Sequence, residues 1–311
     1  MTLPWRAWSA VLRERHGGPV RKLALDTGAG CPHRNDLASG GCLYCDERGG
    51  GDGAALLGLS LPEQVRQKAR SLKRRFPSPR VFLYFQSYSC TQDPPEILEA
   101  KVRQARETAR EEGLSVLGLA FGVRPDQIPA PFLETATRWR DEGLEVWIEV
   151  GVQTLEEDQL VWLRRGHGAG AAEDAARTLR GRGLFLCAHL IGGIPGDDPE
   201  RLARDASTLA RWGFHALKLH PLHVLRGAAL EDLYRRGLFT PVPEEVYRDQ
   251  VVRALATLPE TTILQRLTAD APPDRLIAPA WMGDKAGTLR RLQEALETQG
   301  LRQGCRLPPQ P

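Results

Sequence analysis

The chain has 311 residues, of which 41% are hydrophobic and 26% charged, and carries a net charge of +3. That balance supplies enough apolar surface for one large core or two domains, which argues against disorder, and it permits an acidic partner without demanding one. No stretch approaches the ~20 apolar residues of a membrane span, and MTLPWRAWSAVLRERHGG lacks the apolar run and cleavage site of a secretory signal, so the expectation is a cytoplasmic protein with no membrane contact.

The first apolar, β-rich run is 22–26. Just after it, Cys31, Cys42 and Cys45 stand at C-x10-C-x2-C in the glycine-dense stretch GAGCPHRNDLASGGCLYCDERGGG. In a reducing compartment clustered cysteines are metal ligands before they are disulfides. A structural zinc closes its tetrahedron with four protein ligands. A four-iron cluster on three thiolates keeps one iron open for another ligand, which suits this set better. The helical pattern 62–76 follows, with Val65, Ala69, Leu72 and Phe76 as its apolar stripe. Its other face carries Arg66, Lys68, Arg70, Lys73, Arg74 and Arg75, which reads either as a solvated surface or as a track for nucleic-acid phosphates.

Further strand candidates are 81–86, 115–123, 145–152, 184–191 and 216–221, alternating with helical patterns at 95–112, 131–142, 155–164, 171–182 and 199–212. Prolines mark several helix starts, and Gly113, Gly143, Gly183 and Gly213 mark ends. Strands that are nearly continuous apolar runs fit a parallel sheet covered on both faces. Six β-α units in succession predict an α/β fold, a partial (β/α)6 barrel with its site at the C-terminal strand ends. After residue 225 the pattern turns helical, with one more strand candidate at 262–267. This predicts a barrel unit over 1–225 and an extension over 226–311 packing on it, ending in a frayed RLPPQP tail.

Several polar residues fall on strands or strand ends. Glu149 should face the barrel interior, where a carboxylate needs a partner or a function. Lys218 and His220 share strand parity and so face the cavity together, whereas His220 and His223, three apart, cannot share a face. We take Glu149, Lys218 and His220 as catalytic candidates. His189 on the fifth strand, and Arg124 and Asp126 at the barrel mouth, are secondary candidates. Cys187 reads as an inert buried thiol, and Cys90, which follows the second strand near the barrel mouth, ranks only slightly above it as a radical carrier. Arg266, Trp281 and Lys285 are the cavity candidates of the C-terminal part.

The ordered motifs GxxCPxR at 28–34, GGCLYC, YFQSYS at 84–89, GVRPD at 122–126, EVGVQT at 149–154, RRGH at 164–167, HLIGGIPG at 189–196 and KLHPLH at 218–223 resemble one family. They are similar to the YhcC/YtqA-like radical S-adenosylmethionine (SAM) proteins, relatives of the Elongator catalytic subunit and of oxygen-independent coproporphyrinogen oxidase. The resemblance implies that Cys31, Cys42 and Cys45 ligate a [4Fe-4S] cluster whose open iron chelates SAM. It further implies that Gln153 meets the ribose hydroxyls, that Arg165 meets the carboxylate, that Ile191 and the turn to Pro195 line the adenine, and that the backbone at Tyr44 bonds its edge. Where many relatives have Gly-Gly-Glu for the SAM amino group, this chain has Gln86, Ser87 and Tyr88, so Gln86 and Ser87 take that role.

The resulting expectation is a radical SAM enzyme, with a 5′-deoxyadenosyl radical acting in tRNA wobble-uridine side-chain modification. It implies tRNA on the basic patch and a reductant such as flavodoxin or ferredoxin. The alternatives are a radical reaction on a small molecule of the coproporphyrinogen oxidase type, and a non-catalytic, metal-stabilised RNA-binding protein.

Overall fold

The computed structural model describes residues 3–34, 40–77 and 79–307, so the middle of the cysteine loop and most of the expected frayed tail lie outside the described residues. In chain order the elements are α1 (Trp8–His16), β1 (Val20–Asp26), α2 (Leu61–Lys73), β2 (Arg80–Gln86), α3 (Pro95–Glu111), β3 (Ser115–Val123), α4 (Ala130–Asp141), β4 (Glu145–Gln153), α5 (Glu157–Trp162) and α6 (Gly170–Leu179). There follow β5 (Phe185–Gly192), α7 (Arg201–Arg211), β6 (Ala216–Pro221), β7 (Val224–Leu225), α8 (Ala229–Arg235), α9 (Glu244–Thr257), β8 (Ile263–Arg266), β9 (Leu276–Ala278) and α10 (Lys285–Thr298).

Strands β1 to β6 pair in sequence order and β8 adds beside β6, all in parallel, which gives a seven-stranded curled sheet open between β1 and β8. This is the expected partial barrel with one more strand than the six β-α units predict. Period-2 alternation sorts the strand residues. One set (Leu23, Leu25, Leu83, Phe85, Leu119, Phe121, Ile148, Val150, Leu186, Ala188, Leu217 and Leu219) packs outward against the helices in the main core. Phe85, Phe121 and Trp139 stack there at centroid spacings of 5.3 and 5.1 Å. Helix starts follow the polar signals: Ser60 and Glu63 form a reciprocal capping box on α2, and prolines open α3 and α4.

The opposite set faces the concave side, whose lower end is apolar. Phe82, Ala120, Trp147, Ala216 and Ile263 form a layer there, and α1 lies against it with Trp8, Val11 and Leu12. Trp8 meets Phe82 and Trp147 edge-on at 5.8 and 6.2 Å. The segment before α1 is tied to the open edge of the sheet, where Leu264 N donates to Arg6 O at 2.8 Å. The sequence reading has no helix here, although Trp8, Val11 and Leu12 have helical spacing. Helix α1 is thus a plug under the barrel, and the accessible cavity lies at the C-terminal strand ends. Among the described residues no helix is long and apolar enough to cross a membrane.

Candidate active site

A cavity of about 980 Å³ opens at that upper end, and Cys31, Cys42, Tyr44, Cys45, Gln86, Ser87, Glu149, Gln153, Arg165, Ile191, Lys218 and His220 all line it. Residues predicted from segments spread over nearly 190 positions therefore converge on one space. Of the secondary candidates, Arg124, His189, Arg266 and Lys285 also line it. Trp281 does not: its ring stacks on Tyr247 at 5.7 Å and its Nε1 donates to Val242 O at 3.2 Å. Cys90 is fully buried in the main core, away from the mouth. Beyond Ile191, the turn to Pro195 packs against other elements, with Ile194 in an apolar cluster beside Leu163 and Phe239.

The cysteine loop is held by backbone contacts. Asp26 at the end of β1 accepts from Gly28 N at 3.0 Å and from Ala55 N at 3.2 Å, which clamps both ends of the loop. Gln64 on α2 completes the clamp by accepting from Asp26 N at 2.8 Å. Arg275 from the C-terminal part reaches over to Asp46 at 3.1 Å and Glu47 at 2.6 Å. The glycine run presses against the turn after β2 so closely that a Cβ on Gly49 would sit 2.5 Å from the Tyr88 ring, and one on Gly51 2.0 Å from Ser87 Oγ. Only glycine permits that approach.

Backbone strain gathers at the same end. Among the described residues four non-glycine positions have φ in the left-handed region, namely Ser87 (82°), Tyr88 (53°), Gln153 (74°) and Arg164 (55°). The first three line the cavity and the fourth precedes Arg165. Each such residue costs ~1–3 kcal/mol and persists where surrounding contacts over-determine it, a pattern typical of functional sites.

Arg165 is buried behind the loop. Its Nη1 donates to Cys42 Sγ at 3.2 Å and to Tyr44 Oη at 3.0 Å, and its Nη2 donates to Gly151 O. Arg124 holds the Arg165 carbonyl at 2.8 Å and grips Asp126 with two bonds of 2.9 Å. Three buried atoms at this end find no hydrogen-bond partner among the described residues: Ser87 Oγ, Arg124 Nη1 and Arg165 Nε. Three soft thiols, a glycine cradle and unpartnered donors fit a [4Fe-4S] cluster with SAM chelated to it. Among the described residues no three His, Cys, Asp or Glu side chains are gathered as a site for a single metal ion.

Deeper in the cavity, Glu149 is completely buried and bonded to both Lys22 and Lys218, while His189 Nε2 lies 3.2 Å from its Oε2. Lys22 Nζ also donates to Gln265 Oε1 at 2.7 Å. The ammoniums rest on aromatic faces, Lys22 at 4.4 Å from Trp8 and 4.7 Å from Tyr84, and Lys218 at 4.6 Å from Tyr84. Burial works to raise the Glu149 carboxyl, but Lys218 and Lys22 hold it well below the ordinary range. Burial and the neighbouring Lys218 pull Lys22 down to about 7, against the attraction of Glu149. Burial and Lys218 likewise lower His189 to about 4, and burial with Arg266 drives His220 well below its ordinary value. Burial and then Glu149 push the Cys187 thiol up to about 12, consistent with its reading as inert.

Lys22 and Gln265 are central here and were not singled out from sequence. For Lys22 a signal existed: it is a lysine within an apolar strand, at the same parity as cavity-lining Ala24. Its partner Glu149 lies 127 positions away, so nothing local reveals the pair.

The superfamily model "Radical SAM superfamily" matches residues 26–209, and the "Radical_SAM C-terminal domain" model matches 214–298. Protein YhcC of Escherichia coli strain K12 is 30% identical over 291 residues, which spans 93% of this chain and 91% of that one. A tRNA uridine(34) acetyltransferase of Dehalococcoides mccartyi is 29% identical over 55% of this chain and 37% of its own length. Among solved structures, the archaeal Methanocaldococcus infernus Elp3 with an N-terminal deletion superposes with a TM-score of 0.72 at 18% identity, over 93% of this chain and 64% of that chain. The matched model places the chain among enzymes whose cofactors are a [4Fe-4S] cluster and SAM. This chain is a member of the radical SAM superfamily, in the family that includes YhcC and YtqA.

Proposed function

We propose that this enzyme modifies a uridine side chain of tRNA at the wobble position, for instance processing a carboxymethylaminomethyl group to an aminomethyl group. The observation that carries the reading is the similarity to a tRNA uridine(34) acetyltransferase, which extends over 55% of this chain. When bound, the cluster and SAM supply one-electron cleavage of the sulfonium and a 5′-deoxyadenosyl radical. The protein's own part is to hold, orient and shield. Arg165 and the glycine loop fix the cysteine end, Gln153, Arg124 and Ser87 offer polar atoms to SAM, and the Glu149 cluster meets the substrate below. A flavodoxin or ferredoxin is the proposed electron donor.

The basic face of α2 is the proposed tRNA contact, in modified form. Lys68 turns inward to Ala24 O and Asp52, and Lys73 pairs with Glu112 at 3.0 Å, so Arg66, Arg70, Arg74 and Arg75 carry the phosphate-tracking role. The C-terminal end of α2 lies at the N-terminal strand ends, where Phe76 sits beneath Arg21 at 4.7 Å, opposite the cavity mouth. These arginines would therefore track the tRNA body and not deliver the base. The test is mass-spectrometric nucleoside analysis of tRNA from a strain lacking the gene. Loss of one modified uridine, restored by the wild-type gene and not by a Cys42→Ala gene, is expected. An unchanged nucleoside profile overturns the tRNA assignment.

A further inference from the structure

The ion cluster at the cavity floor is not charge-balanced. Two ammoniums, Lys22 and Lys218, share one carboxylate, Glu149. The nearby histidines do not alter the sum, because burial keeps His189 and His220 neutral near pH 7. Arg266 and Lys285 likewise share one carboxylate, Asp270, but these side chains are one-third to one-half exposed, so water screens that pair. When Lys22, held near 7, carries its proton, one positive charge is left over at this floor, and a buried charge without a partner is costly.

Donor capacity is left over as well. An ammonium has three N–H groups. Lys22 directs two of them to Glu149 and Gln265, and Lys218 directs one to Glu149. The aromatic faces of Trp8 and Tyr84 flank the ammoniums, so the remaining donors have the cavity as their polar outlet. Gln265 must turn its oxygen to Lys22, because lysine only donates, and this leaves its Nε2 donor without a partner among the described residues. His220 Nε2 and Thr268 Oγ1 are unpartnered in the same way, and all three residues line the cavity.

We propose that this floor, built by β1, β4, β6 and β8, binds the carboxylate of the substrate, a monoanion held between Lys218, Lys22 and Gln265. A carboxylate neutralises the single surplus charge and accepts the spare N–H groups through its two oxygens. A phosphate dianion would overshoot by one negative charge in a buried site, and a neutral amide would leave the surplus unanswered. The substrate class is thus an acid whose carboxylate anchors below the cofactor end and whose neighbouring carbon lies between the two. Calling the bound anion a substrate rests on the radical reading above, whereas anion binding itself does not.

The test is saturation-transfer NMR of acetate with the full chain, anaerobically reconstituted and left unreduced, in buffer of low ionic strength. Acetamide serves as the neutral probe and inorganic phosphate as the dianionic competitor. Acetate is expected to bind about tenfold more tightly than acetamide and to be displaced poorly by phosphate, and Lys218→Met is expected to weaken it by about tenfold. Lys22→Met provides a second variant should the first not fold, and the ranking of probes on the wild-type chain needs no variant. Acetamide binding as well as acetate, phosphate binding more tightly than acetate, absence of an acetate signal, or acetate binding unchanged in both folded variants would each overturn the proposal. Because the readout needs no turnover, a chain that binds acetate yet never cleaves SAM keeps the anion site and loses only the radical reading.

Discussion

At its upper end the cavity is shaped by backbone: glycines that tolerate no Cβ, strained residues after β2 and β4, and a carboxylate clamp on main-chain amides. At its lower end it is shaped by charge, with one carboxylate tying together ammoniums from β1 and β6 above an aromatic layer. The first construction holds a shape and leaves polar atoms unpartnered, as a seat for a cofactor must. The second leaves a positive charge and spare N–H donors over, which together select what enters. Disturbing each end by its own means tests the contrast.

The largest effect on stability is expected from Glu149→Gln, which removes the carboxylate that, among the described residues, bonds both Lys22 and Lys218. Breaking a buried ion cluster this way costs ~3–5 kcal/mol, readable from urea unfolding. A loss below ~1 kcal/mol would mean that water screens the floor, and the contrast would fail.

Protonation gives the next effect. His189 has a folded pKa of about 4 against an ordinary 6.5, so between those values the unfolded chain binds more protons and stability must rise with pH. Lys22, lowered from 10.5 to about 7, acts in the same direction between pH 7 and 10.5. The rise on the acid side should flatten in His189→Gln and the rise on the alkaline side in Lys22→Met, as followed by unfolding midpoints across pH. Parallel curves for wild type and both variants would place these groups in solvent.

The smallest effects belong to the upper end. Gly51→Ala drives a Cβ to within 2.0 Å of Ser87 Oγ, and overpacking of this kind costs ~1–3 kcal/mol. Ser87→Gly removes both the clashing atom and the strain of φ 82°, a gain of ~1 kcal/mol. The double variant should therefore recover most of the Gly51→Ala loss, a coupling that a double-mutant cycle measures directly. Additive effects would show that the loop does not press on this turn.

The parts legible in the sequence were those written locally. Cys31, Cys42 and Cys45 lie within 15 positions of one another, and the strand parity of Lys218 and His220 follows from period 2 alone. The parallel sheet was legible because apolar runs alternate with amphipathic helices bounded by proline and glycine. What escaped depends on long-range pairing. Helix α1 becomes necessary only once the barrel has an open lower end. Lys22 becomes a site residue only when β4 and β6 bring Glu149 and Lys218 to it. Trp281 was misjudged because an aromatic in a helical region carries no sign of which face it will cover, and here it covers Tyr247.

The most direct measurement of the central claim is anaerobic reconstitution with iron and sulfide, followed by reduction in the presence of SAM and quantification of 5′-deoxyadenosine, with Cys42→Ala in parallel. The account predicts a brown protein that forms 5′-deoxyadenosine and a variant that does not. A colourless, zinc-loaded protein that leaves SAM intact would contradict it.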